Sequence, residues 1–148
     1  MAKDDSKDDK FQEICTYIVV IIVGFILASH LNVVVSGSME PVFYRGDIVA
    51  VEKAEFLGIN EFDAEKDVNV GDIVVYNAKW FNSPVIHRVI EKNNNSNGTY
   101  FVIKGDHNPT ADPLKVYPNQ IVSKVITIGN HPISIPYIGY VTIVLRGL

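Results

Sequence analysis

The stretch SGSMEP carries two serines, Ser36 and Ser38, with Gly37 between them and Pro41 closing it. A serine hydroxyl becomes a useful nucleophile when a neighbouring base takes its proton and nearby donors stabilise the oxyanion that follows. Gly37 permits a sharp backbone before Ser38, and Pro41 stops a regular element from continuing past it. Taken alone, this composition is that of an ordinary turn. The base working near neutral pH is most often histidine, and the chain has four. His30 closes an apolar stretch and His131 sits in an NHP turn, both structural settings. His87 lies inside the strand-like run VIHRVI, a setting that equally suits a satisfied core or surface residue. His107 lies in KGDHNPTADP, a loop that also holds Asp106 and Asp112. Those carboxylates suit an Asx-type turn that bonds its own backbone, or a metal site in which Asp106 joins His87 and His107 as ligands. A calcium loop is excluded. Counted from Asp106, it needs Gly at the sixth position and an acid at the twelfth, where this chain has Ala111 and Tyr117.

The elements that would carry these residues follow from the wider pattern. At 148 residues the chain has room for one domain with a real core. A net charge of -4 leaves no basic excess, which argues against nucleic acid as a partner. Cys15 is the single cysteine, so neither an internal disulfide nor a cysteine-based zinc site can form. Residues 1–13 read as a tail whose first ten, MAKDDSKDDK, are charged and expected to be disordered. From Ile14 to Ala28 the chain is almost wholly apolar, and extension to Val35 gives 22 residues. As helix this is about 33 Å, enough to cross a bilayer core of roughly 30 Å. A core helix would carry a polar face, and 14–28 has almost none. A cleaved leader has a similar apolar length, but here acids outnumber bases ahead of it. The reading is a retained anchor over 14–35. Lys3, Lys7 and Lys10 precede it and Arg45 is the first positive residue after it, which predicts a cytoplasmic N-terminus and an exported body.

The body, 36–148, reads as β. The runs DIVAV, DIVVY, VIHRVI, TYFVIK and IVSKVITI are rich in β-branched and aromatic residues, with turn residues between them. NNNSNG (93–98) reads as a hairpin loop, and the repeated GDIV at 46 and 71 as one turn-into-strand solution used twice. Residues 52–69 read as a solvated acidic excursion. IPYIGYVTIVL, 135–145, suits a final strand or an interfacial segment better than a second span. The expected class is mainly β: an antiparallel barrel-like or sandwich domain after one transmembrane helix.

Together, SGSMEP, RGDIV, VGDIVVY, IHRVI, KGDHNPTAD and IPYIGYVTI occur in one order after one anchor. This set resembles the signal peptidase I family in its archaeal and endoplasmic-reticulum form, over residues 31 to 145. The resemblance implies a membrane-bound serine endopeptidase that removes signal peptides through an acyl-enzyme. It implies Ser38 as nucleophile, His87 as general base where bacterial members carry Lys, Asp112 as the essential acid and Asp106 as a supporting acid. It also implies an oxyanion hole from Ser36 and the Ser38 backbone N–H, with no metal and no cofactor. Exported preproteins, the lipid bilayer and the protein-export translocon are the implied partners. The implied site is an archaeal plasma membrane, or the reticulum membrane with the domain in the lumen. Small side chains before the cut would be read by shallow apolar pockets, with Met39 a candidate by adjacency only. His107 stands where the family often has Asn, which places a second imidazole near the acid. Two readings of another class stand beside it. One is a self-cleaving serine peptidase and the other a tethered β module that binds peptides without chemistry.

Overall fold

The computed structural model describes residues 5–147, so Lys3 and the first part of the tail lie outside the described residues. The chain divides into one unit up to Leu31 and a second from Asn32 onward.

The first unit is helix α1 (Asp5–Ser29). Residues 5–10 are helical rather than disordered. Residues 8–29 are long and apolar enough to cross a membrane, with a mean hydropathy of 2.2 over the most apolar window and no burial there. The helix stops at Ser29, short of the expected Val35. The Ser29 hydroxyl donates to the Ile26 carbonyl at 2.6 Å and the His30 N–H to Leu27 at 3.1 Å. The next residues are drawn into the sheet, where Val34 N–H donates to Asp47 O and Gly46 N–H to Val34 O, each at 2.8 Å. Ser38 therefore follows the helix end by nine residues instead of three.

The second unit contains β1 (Leu31–Val33, shared with the boundary), β2 (Ile48–Lys53), α2 (Ala64–Asp67), β3 (Ile73–Tyr76), β4 (Val85–Asn95) and β5 (Gly98–Lys104). After a short 3-10 turn come β6 (Ile121–Val125), β7 (Thr127–Ile128), β8 (His131–Pro132), β9 (Ser134–Ile135) and α3 (Tyr140–Arg146). The main sheet runs β1-β2-β6-β3-β4-β5, with β9 also on β2, and β7 pairs with β8 separately. Every register that is defined is antiparallel. The sheet is not closed into a barrel, because β1 and β5 end its path without pairing to each other.

Strand β3 is buried along its whole length and divides two cores. Val74 and Tyr76 join Phe62, Val68, Val89, Phe101 and Ile103 in one. Ile73 joins Val34, Met39, Phe43, Val49, Val51 and Val125 in the other. Each such side chain withdrawn from water contributes roughly 1.5–3 kcal/mol before entropy is counted. The two GDIV segments do share one device. Gly46 and Gly71 adopt φ of +93° and +100°, a region open to glycine at little cost. The Asp after each accepts a backbone N–H from three residues upstream at 2.9 Å: Asp47 from Tyr44, Asp72 from Asn69.

Three local expectations change. The hairpin loop shrinks to Ser96–Asn97, because the asparagines continue β4 and Asn95 pairs with Gly98. The Asn95 side chain takes up the Asn97 N–H at 2.8 Å. The excursion 52–69 is only partly solvated: Asp63 caps α2, and Phe62 and Val68 enter the core on either side of it. Residues 135–145 form neither a long strand nor a span. Ile135 pairs with Ile48 and the remainder turns into α3.

Candidate active site

Ser38 heads a tight turn whose first bonds are Glu40 N–H to Gly37 O at 3.2 Å and Val42 N–H to Met39 O at 2.9 Å. The turn is nailed down from below: Met39 and Phe43 are fully buried (both 0% exposed) in the second core. Met39 thus holds the turn, and no part of it is open to a substrate.

His87 comes from β4 and is opposite Val74 of β3. Its Nε2 lies 2.9 Å from Ser38 Oγ, although 49 positions separate them in the chain. Its Nδ1 lies 2.8 Å from Asp112 Oδ2, and the side chains of that pair are only 4% and 3% exposed. A carboxylate can only accept, so Nδ1 carries the proton and the Nε2 lone pair faces the serine. Asp112 is brought in by the loop after β5, its own N–H tied to Ile103 O at 2.8 Å. Hydroxyl, imidazole and carboxylate form one hydrogen-bonded line, an arrangement that moves a proton off the serine and shelters the resulting imidazolium.

Ser36 stands beside the head of this line, its Oγ 3.2 Å from Ser38 Oγ. Asp106 does not join it. Arg88, next to His87 on β4, grips Asp106 with two bonds, Nε to Oδ1 at 2.9 Å and a terminal nitrogen to Oδ2 at 2.7 Å. The other terminal nitrogen reaches Gly71 O at 2.8 Å. The hydrogen bond to Asp106 holds the Arg88 pKa above its usual value. Asp106 is therefore a clamp for the loop that carries Asp112. His107 is exposed, and its contact with the line is through the backbone: its N–H donates to Ser38 O at 2.9 Å. Among the described residues no group of three or more His, Cys, Asp or Glu is placed to hold a metal ion.

Two residues of this site escaped the sequence reading. Gly105 passes so close that a Cβ there would lie 2.7 Å from Ser38 O and 2.9 Å from His87 Nε2. Tyr76, fully buried at the end of β3, donates its phenol to Asp112 Oδ2 at 2.6 Å. Burial, then the bond to Asp112, pushes the Tyr76 pKa well above the ordinary phenol value, and the Trp80 side chain opposes this weakly. A raised pKa favours the neutral phenol in the folded state. That contribution to stability is complete below pH about 10 and declines as pH rises past it. Tyr76→Phe lacks it, so melting temperatures followed from pH 8 to 11 should fall less steeply in Tyr76→Phe than in the native protein.

No family model matches the chain. An uncharacterized protein of Methanocaldococcus jannaschii is 37% identical over 183 aligned positions, covering 84% of this chain and 88% of that protein. The signal peptidase complex catalytic subunit SEC11 of Scheffersomyces stipitis is 38% identical over 127 residues, 82% of this chain and 70% of its own length. SEC11 of Clavispora lusitaniae is 37% identical over 120 residues, 79% of this chain and 66% of its own length.

Proposed function

The chain belongs to the signal peptidase I family, in the form that includes the SEC11 catalytic subunits, and from that premise we propose how its residues divide the work. It is a membrane-bound serine endopeptidase that cleaves signal peptides. The observation that supports the assignment of roles is the unbroken line from Ser38 through His87 to Asp112, with contacts of 2.9 and 2.8 Å. As the Ser38 oxygen bonds to the scissile carbonyl carbon, its proton passes to His87 Nε2. Asp112 stabilises the imidazolium so formed. The carbonyl oxygen, now negative, is held by the Ser36 hydroxyl and the Ser38 N–H. Collapse breaks the C–N bond while His87 returns the proton to the leaving amine. Water then attacks the acyl-enzyme by the same route and frees Ser38.

Helix α1 is the anchor, with the N-terminus cytoplasmic and the catalytic unit exported. The substrate's own apolar segment lies in the same bilayer. Confining both to one membrane raises their effective concentration without a new contact. The substrates are secretory preproteins cut after small side chains. The chain works as one subunit of a complex, as the name of its SEC11 relatives says of them, and close to the export translocon.

The assignment is tested with the full chain in detergent and a model preprotein. A serine-directed acylating probe should label Ser38 and block cleavage in parallel. Cleavage that continues in fully labelled protein would remove Ser38 from the mechanism. A further expected result concerns the loop. Gly105→Ala sets a methyl against Ser38 O and His87 Nε2, and a displacement of such groups by about 1 Å can cost 10²-fold in rate. The loss should appear in kcat rather than KM.

A further inference from the structure

We propose that Tyr76 is a positioning residue of the catalytic line, holding Asp112 by its phenol while that carboxylate serves His87. The inference rests on the roles assigned above to Ser38, His87 and Asp112. Its first support is a shared atom. Tyr76 and His87 both reach Asp112 Oδ2, at 2.6 and 2.8 Å. Its second is the backbone that aims the ring. In the β3–β4 register Tyr76 is opposite Val85 and Val74 opposite His87, so Tyr76 and His87 project from one face of neighbouring strands. The β3–β6 register shifts between Val75 and Tyr76, and such an irregularity re-aims a side chain. Its third is burial. The ring belongs to the apolar core with Val74, Val89, Phe101 and Ile103, where a phenylalanine would pack as well. The hydroxyl at that depth has Asp112 as its acceptor.

The chemistry follows from two donors meeting one oxygen. With both in place the carboxylate cannot swing, and the Nδ1–H of His87 always finds it. The phenol also takes a share of the carboxylate's charge. The imidazolium is then held less tightly and returns its proton more readily to the leaving amine. Among the described residues, the titratable side chains hydrogen-bonded to the Asp112 carboxylate are His87 from β4 and Tyr76 from β3. Arg88 and Asp106 are committed to each other. Lys104 pairs with Arg88 in register and alternates with buried Ile103, which puts it on the opposite face. His107 is exposed.

The test compares the native full chain with Tyr76→Phe and with protein carrying 3-fluorotyrosine at position 76, each assayed for kcat and KM across pH on one preprotein. Tyr76→Phe should lower kcat by about 10-fold to 100-fold, the worth of one hydrogen bond to a charged group, with KM little changed. Its acid limb should move to higher pH by about half a unit, since the imidazolium then faces the full carboxylate charge. Fluorotyrosine, a stronger donor of the same shape, should move that limb the other way. It decides the matter alone if Tyr76→Phe fails to fold. A folded Tyr76→Phe within twofold of native kcat, or an acid limb that neither variant moves, would overturn the proposal. Ser38→Ala is run alongside. If it is inactive, such a result removes Tyr76 alone, whereas an active Ser38→Ala removes the assigned roles themselves.

Discussion

Ser38→Ala should fold normally, keep its melting temperature, and lose roughly 10⁵–10⁶-fold in preprotein cleavage. The substitution deletes one oxygen from a half-buried turn held by Met39 and Phe43 beneath it, so folding has little reason to suffer. His87→Ala should lose as much, and the double variant no more than either, because the two groups act as one unit. Asp112→Asn should cost about 10⁴-fold. The amide can present its own N–H to the imidazole and so favour the tautomer whose Nε2 cannot accept from Ser38. His107→Ala separates the two imidazoles that lie near the acid loop. Its side chain is exposed and the bond it makes to the serine turn is from the main chain, so most activity should survive. Across pH, kcat/KM should fall on the acid side with the slope of one proton as the base is filled. Ser38→Ala retaining activity within tenfold of native would end the serine-peptidase mechanism for this chain.

Ser36→Ala is expected to lower kcat by about 10²–10³, the cost of one oxyanion donor, while KM moves little. Its hydroxyl lies 3.2 Å from Ser38 Oγ, beside the place where the tetrahedral carbon must form, and it can rotate from that oxygen to the developing charge. Ser36→Thr keeps the hydroxyl and should recover part of the loss. That recovery distinguishes donation from packing. A fall of less than threefold for Ser36→Ala would leave the backbone N–H of Ser38 to act without it.

The legible parts of this fold were those governed by local chemistry. The paired GDIV turns could be read because a glycine at positive φ followed by an acid is a solution contained in a few residues. The apolar helix could be read from length and hydropathy, although its end could not. Val34 is taken by Asp47 and Gly46, and nothing in residues 30–35 announces a partner so far along the chain. The same limit hid Tyr76 and Gly105. Tyr76 looks like any aromatic at a strand end, and its bond spans 36 positions to Asp112. Gly105 looks like the glycine of another turn, whereas its small size serves Ser38 and His87. Met39 illustrates the converse: it is adjacent to Ser38 in sequence, yet its side chain is fully buried in the second core, a placement that adjacency does not announce. Asp106 and Asp112 are indistinguishable by residue type. Arg88, adjacent to His87 in sequence but on the other side of the strand, separates them by taking the first.

The bond from the His107 amide to the Ser38 carbonyl has a consequence for how this loop can diverge. The tie is made by atoms that every residue except proline possesses, so the chain between Gly105 and Asp112 can keep its grip on the nucleophile's turn while the outward group at 107 changes freely. Imidazole, carboxamide or hydroxyl would serve the tie equally. Lineages can thus vary the solvent-facing rim there without disturbing the reaction centre, and proline is the one substitution they should never be found to accept.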